Sequence, residues 1–167
     1  NPRATEAYHT QVLQSVKPLT VFDYLLITTA ALTNSFQPLV AQKLADGLAV
    51  KVETVENILA GYSGVDDAAK LRTFITHAYT NWNTTYVLLG GDISTVPYRQ
   101  AYAYVGDVDA TMPCDLYFAC LDGSWNSDGD GNWGEPTDGE VAGDVDLLAE
   151  VYVGRAPVDN AAEVAYF

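Results

Sequence analysis

Two continuous apolar runs constrain this chain more than anything else in it. Tyr24-Leu25-Leu26-Ile27 and Tyr86-Val87-Leu88-Leu89 show no alternation of polar and apolar side chains. A strand of that kind is stable only when both of its faces are covered, as in a parallel sheet sandwiched between helices. What lies between the two runs fits that arrangement. Thr33-Asn34-Ser35 offers helix N-cap chemistry, and Phe36, Leu39, Val40 and Leu44 follow at helical spacing. Pro38 falls in the first turn, where its missing N–H costs nothing, and Gly47 suits the C-terminal cap. From Ala49 to Val55 the pattern alternates, with Val50 and Val52 on one side and Lys51 and Glu53 on the other, as in a half-exposed strand nearer an edge. Residues 56–65 read as a loop or short turn. Asp66-Asp67 then opens a second helix with a buried stripe of Leu71, Ile75, Ala78 and Trp82.

The resulting order of strand, helix, strand, helix, strand predicts an α/β fold: a mostly parallel sheet with right-handed crossovers and helices on both faces. Beyond Gly90-Gly91-Asp92 the pattern changes. Segments around 101–105 and 115–119 read as short strands of a small excursion, an acidic loop follows, and Glu150 to Arg155 returns as a further core strand. Residues 1–22 read as a lead-in and 23–167 as one α/β subdomain. The chain opens on Asn1-Pro2-Arg3 and ends on an incipient helix at Asp159 to Glu163, which reads as a piece of a longer protein.

Charge separates these regions further. The 167 residues carry 22 acids against 8 bases, a net of −14. Such a balance excludes electrostatic binding of a nucleic-acid backbone and disfavours an anionic membrane, and no apolar run reaches the ~18 residues of a membrane span. Residues 100–154 hold twelve acids and no Lys or Arg, so that twelve of the fourteen excess charges sit in one segment. Such a charge favours cations, basic partners or simply solubility, the last as a solvated acidic loop.

Within it, Asn126, Asp128 and Asp130 fall at alternate positions before Gly131, like the first half of an EF-hand-type loop. Short oxygen-bearing side chains on a tightly curled loop can aim at one centre, and a hard cation such as Ca²⁺ takes six to eight oxygens at about 2.3–2.6 Å. In this register the Asn132 carbonyl holds the seventh place, Glu135 closes early at the tenth, and Asp122 adds a ligand from the loop entry. The expectation is a structural Ca²⁺ site outside an EF-hand, made by Asp122, Asn126, Asp128, Asp130, Asn132 and Glu135. The competing explanation is an acidic turn knit by Asx hydrogen bonds. Asp144 and Asp146, with Asp138 and Glu140 upstream, form a second cation site, part of the same one, or a solvated turn. Asp92, at the carboxyl end of a strand where open α/β sheets bind ligands, is either functional or a cap of the next turn.

Catalysis finds little support. Nucleophilic cysteine needs a histidine partner. The chain has Cys114, Cys120, His9 and His77, and His77 falls opposite the buried stripe of its helix, facing solvent. With 115–119 extended, the two cysteines stand about 20 Å apart, too far for a disulfide. No zinc spacing, dinucleotide fingerprint or phosphate-binding loop occurs.

Several motifs in fixed order are similar to the gingipain-like cysteine peptidases. They are Asp23-Tyr24-Leu25-Leu26-Ile27-Thr28, Leu32-Thr33-Asn34-Ser35-Phe36, Tyr86 to Asp92 with Val96-Pro97, Asp115-Leu116-Tyr117-Phe118, Leu121-Asp122-Gly123 with the Asp-Gly loop, and Val151 to Arg155. The resemblance implies a caspase-like or flavodoxin-like three-layer sandwich. It also implies a secreted or surface endopeptidase acting on protein substrates with a Cys–His dyad, and calcium as a structural ion. No position here matches the family's His-Gly motif or its catalytic Cys, so the chain is expected to be the N-terminal, non-catalytic half, partnered by the remaining C-terminal half. The alternative is a calcium-dependent binding or adhesion module without enzymatic activity.

Overall fold

A computed structural model of the chain describes residues 21–139 and 143–167. The expected lead-in falls outside them apart from its last two residues, as do His9 and Glu140. Four parallel strands form the sheet: β1 (Tyr24–Thr28), β2 (Val50–Thr54), β3 (Tyr86–Gly90) and β6 (Tyr152–Ala156), in the order β2-β1-β3-β6. The helices are α1 (Gln37–Ala45), α2 (Val55–Gly61), α3 (Asp67–Trp82), α4 (Leu116–Ala119) and α5 (Ala161–Val164). A separate antiparallel hairpin joins β4 (Arg99–Val105) to β5 (Val108–Cys114).

The apolar runs behave as their composition requires. In β1, Leu25 and Ile27 point to one side, into a core with Ile58 of α2 and with Leu71, Phe74, Ile75 and Ala78 of α3. Leu26 points to the other side, against Phe36, the α1 residues Leu39 and Val40, and Val164 of α5. All three β1 side chains are fully buried, and helices cover both faces of the sheet, as the sequence predicts. Burial of each such side chain is worth about 1.5–3 kcal/mol. β2 is half-buried throughout, as suits an edge strand. Gly90 and Gly91 do more than stop β3. A Cβ on Gly90 would meet the Phe36 ring at 2.8 Å, and one on Gly91 would meet the Thr95 hydroxyl at 2.5 Å.

Several local expectations are corrected. Residues 115–119 are not a strand: α4 is one helical turn, and the second strand of the excursion is β5, upstream of it. An apolar run this short does not distinguish strand from helix. Here the turn lets the consecutive residues Tyr117, Phe118 and Ala119 all be buried. The cysteines flanking this turn are free, as expected, though the extended spacing behind that expectation does not hold. Residues 56–65 are not simply a loop, because α2 begins at Val55 with Thr54 as its cap, its hydroxyl accepting from the Asn57 amide. α1 starts after Phe36 without a side-chain cap. The Thr33-Asn34-Ser35 stretch is used instead in a series of turns running from Thr29 to Phe36, and Leu44 is exposed. His77 does not face open solvent, since its ring sits edge-on between Tyr62 and Trp82 at 5.8 and 5.3 Å.

Candidate metal centre

The acidic loop is folded by its own carboxylates. Asp138 is fully buried and accepts from the amides of Ser127, Gly134 and Glu135, gathering both sides of the loop onto one side chain. Asp144 accepts from the Ser124 amide and hydroxyl. Burial works against its charge, but hydrogen bonds from Ser124 and the following amides prevail and hold its carboxyl below the usual range. Gly123 has a positive φ of 67° and lies so close to the Asp144 carbonyl that a Cβ would come within 2.2 Å of it. Asp138 and Asp144, which the sequence offers as cation ligands or a solvated turn, act as internal fasteners of the loop.

The predicted site residues divide. Carboxylate oxygens of Asp128, Asp130 and Glu135 lie within 4.8 Å of one another. Asn126 is tied to the same loop: its amide nitrogen donates to the Asp130 carbonyl at 3.0 Å, while its buried Oδ1 has no hydrogen-bond partner. Asn132 is held against Asp130, donating from its backbone amide at 2.6 Å and from Nδ2 at 3.2 Å. The structure places Asp122 elsewhere, in a second group with Asp146 and Glu150. The loop also contains Asx-type bonds, with the Asp130 amide donating to Asp128 and the Asn132 amide to Asp130. These bonds shape the turn and engage both Asp130 oxygens, while Oδ2 of Asp128 and Oε2 of Glu135 accept no hydrogen bond among the described residues. An all-oxygen donor set, with an orphaned buried acceptor on the same loop, fits a hard cation.

What attaches this loop to the body was not foreseen from the sequence. The acidic segment has no base of its own, and three arginines from outside it supply the contacts. Arg99, 4% exposed, forms a bidentate pair with Asp66 at 2.8 Å, and its guanidinium lies over the rings of Trp133 at 3.5 Å and Tyr117 at 4.5 Å. Arg72 donates to the carbonyls of Cys120, Asp122 and Gly123 and covers the other side of the Tyr117 ring at 4.6 Å. Arg155 uses all five of its donors, two on the Asp115 carboxylate and three on the carbonyls of Gly91, Val96 and Pro97. It thereby ties β6 to the start of α4 and to the loop beyond β3. Trp125 and Trp133 flank Tyr117 edge-on, each at 5.7 Å. The available signal was the position of Arg99 and Arg155, the two bases that border a base-free stretch.

The cysteines are poorly placed for chemistry. Cys120 is fully buried; burial first, and then the nearby Asp146 and Glu150 carboxylates, push its thiol up to about 11. A thiol of that kind stays protonated at neutral pH and is not nucleophilic. Among the described residues no hydrogen bond joins a cysteine to a histidine. Asp92 works through its main chain. Its carbonyl accepts from the Thr95 and Val96 amides and its amide donates to Val158, so it shapes the turn at the carboxyl end of β3.

The sequence profile of Peptidase family C25 matches residues 17–167. The chain belongs to peptidase family C25. This is the gingipain family that the sequence motifs resemble. Two solved structures are similar in fold. One, a protease, is 14% identical with a TM-score of 0.57, and the match covers 89% of this chain and 26% of that one. The other is dimeric latent PorU from Porphyromonas gingivalis, 22% identical with a TM-score of 0.58, over 86% of this chain and 15% of that one. Nothing matches among curated protein sequences. The chain thus spans about a quarter or less of the structures it resembles, and the likeness is one of fold: an α/β sandwich on a largely parallel sheet.

Proposed function

We propose that this chain is the N-terminal, non-catalytic part of a C25 cysteine endopeptidase domain and that its acidic loop carries a structural Ca²⁺. The observation that supports the first part is the coincidence of C25 membership with a fully buried Cys120, its thiol pushed up to about 11, and, among the described residues, no hydrogen bond from either cysteine to a histidine. In the whole protein, a cysteine from the remaining half attacks the peptide carbonyl, and a histidine takes the thiol proton and passes it to the leaving amine. The sheet and the loops at its carboxyl edge give that half its footing. The parent protein is secreted or lies at the cell surface, and proteins or peptides are its substrates. The isolated chain is expected to hydrolyse no peptide. Turnover by the chain that disappears on Cys114→Ala or Cys120→Ala overturns this assignment.

The convergence of Asp128, Asp130 and Glu135, together with the orphaned Asn126 Oδ1 on the same loop, supports the second part. A bound Ca²⁺ would neutralise two of the charges crowded there and fix the loop. Asp128, Asp130 and Glu135 would supply carboxylate oxygens, and Asn126 its Oδ1. Binding to the folded state alone stabilises it by about 2.7 kcal/mol at one hundred times the dissociation constant. Calorimetry and thermal melting with Ca²⁺ and with chelator test it. A heat of binding and a raised Tm, both abolished by Asp130→Asn, are expected; neither at millimolar Ca²⁺ refutes the site.

A further inference from the structure

The β4–β5 hairpin leaves the sheet and has two unlike faces. Cross-strand pairs Ala101–Met112, Ala103–Ala110 and Val105–Val108 place only apolar side chains on one of them. Ala101 at its base is buried, whereas Val105, Val108 and Met112 are 67%, 62% and 54% exposed. The opposite face carries the pairs Tyr102–Thr111 and Tyr104–Asp109 and looks onto the acidic loop. Between them is a cleft of about 620 Å³ lined in part by Tyr102, Asp109, Thr111, Asn132 and Glu135. The outer edge of β4 is engaged, its Tyr102 amide donating to the Trp133 carbonyl. Among the described residues no backbone group outside the hairpin pairs with β5. A two-stranded ribbon is marginal alone in water, and an open edge of this kind is a template for another strand.

Charge decides what can use it. A second copy would bring two segments of twelve acids and no bases together, and nucleic acid or an anionic bilayer would meet the same repulsion. A basic polypeptide meets none of it. We infer that β5 is a docking edge for an extended polypeptide alternating apolar and basic residues, which adds as a third strand to the hairpin. Side chains of a strand alternate between faces, so such a segment lays its apolar residues on Val108, Ala110 and Met112. Its Lys or Arg residues then fall over Asp109 and the Glu135 side of the cleft. The cleft shares Glu135 with the proposed metal site, and docking on β5 does not depend on peptidase activity.

The test uses the full chain and three fluorescent ten-residue peptides: alternating Val and Lys, alternating Val and Glu, and five Val followed by five Lys. Anisotropy is expected to show micromolar binding of the first, weakened at least tenfold at 0.5 M salt, and binding at least tenfold weaker for the other two. Val108→Glu with Met112→Glu should weaken the first peptide at least tenfold although it adds negative charge. Thr111→Lys on the opposite face should do the same through repulsion, and unchanged thermal melts show that both variants fold. Equal binding of the block peptide, or no loss in the Val108/Met112 variant, overturns the proposal in favour of diffuse charge attraction. Self-association in sedimentation equilibrium that is lost in the same variant, or vesicle binding with phosphatidylserine but no peptide binding, overturns it in favour of those occupants.

Discussion

The sheet with its helices and the acidic segment are held together by different physics. In the body, Leu25, Ile27, Leu71, Phe74 and Ile75 are buried together, and stability comes from non-directional apolar contact spread over many residues. In the acidic segment burial is confined to Ala101, the α4 turn with Cys120, Trp125, Asp138 and Val151 among the described residues, and order comes from a few directional bonds: Asp138 to three amides, Asp144 to Ser124, and guanidinium groups reaching in from the body. Damage to the first should spread and soften. Damage to the second should be concentrated in single side chains.

The sharpest way to break that contrast is Arg155, which belongs to both regions. Its Asp115 partner is 29% exposed and its own side chain only 10%. Arg155→Met leaves that carboxylate unpaired and three carbonyls of the β3–β4 connection without donors. Removing one member of a buried pair typically costs about 3–5 kcal/mol. Urea denaturation followed by far-UV circular dichroism should show a global loss of that size. A loss under about 1 kcal/mol would mean that β6 and the connection are held mainly by apolar packing, and the arginine merely accompanies it.

Asp138→Ala comes next. Three amides lose a charged acceptor, and loop relaxation into water recovers part of that, so about 2 kcal/mol is the expected cost. It should be local. Fluorescence of Trp125 and Trp133 should report an earlier transition while the circular dichroism transition of the sheet barely moves. Coincident transitions would show that the two regions unfold as one unit.

The same contrast explains what the sequence discloses. The parallel strands, their helical covers and the N-cap at Asp66 follow from periodicity and capping, which are local properties. The helical turn at Leu116–Ala119 does not, because an apolar run that short satisfies either geometry until Tyr117 is seen between Arg72 and Arg99. Convergence of Asp128, Asp130 and Glu135 is legible from spacing. The placing of Asp122 with Asp146 and Glu150 is not, since it depends on where the chain returns after 24 residues. The arginine contacts span 18 to 64 positions in sequence, and nothing local encodes them.

Acid should produce the smallest difference between the regions, for a reason that sharpens the comparison. For Asp66, burial opposes ionisation but the Arg99 hydrogen bonds outweigh it; for Asp144, the Ser124 bonds do the same, and both carboxyls are held below the ordinary aspartate range. A carboxyl lowered in the folded state contributes stability that is complete above its unfolded value. That contribution is lost as the pH falls through the folded one. Loosening of the loop should therefore begin below about pH 4 rather than near neutrality. Against it, protonation also relieves the mutual repulsion of twelve acids packed into 55 residues, which favours the compact loop as the pH falls. The two effects oppose, so the tryptophan signal should shift only modestly between pH 5 and 3 at low salt. It should shift more at 0.5 M salt, where the diffuse repulsion is screened but the short, partly buried bonds are not. A larger acid shift at low salt than at high would mean that diffuse repulsion, and not the specific carboxylate bonds, governs the loop.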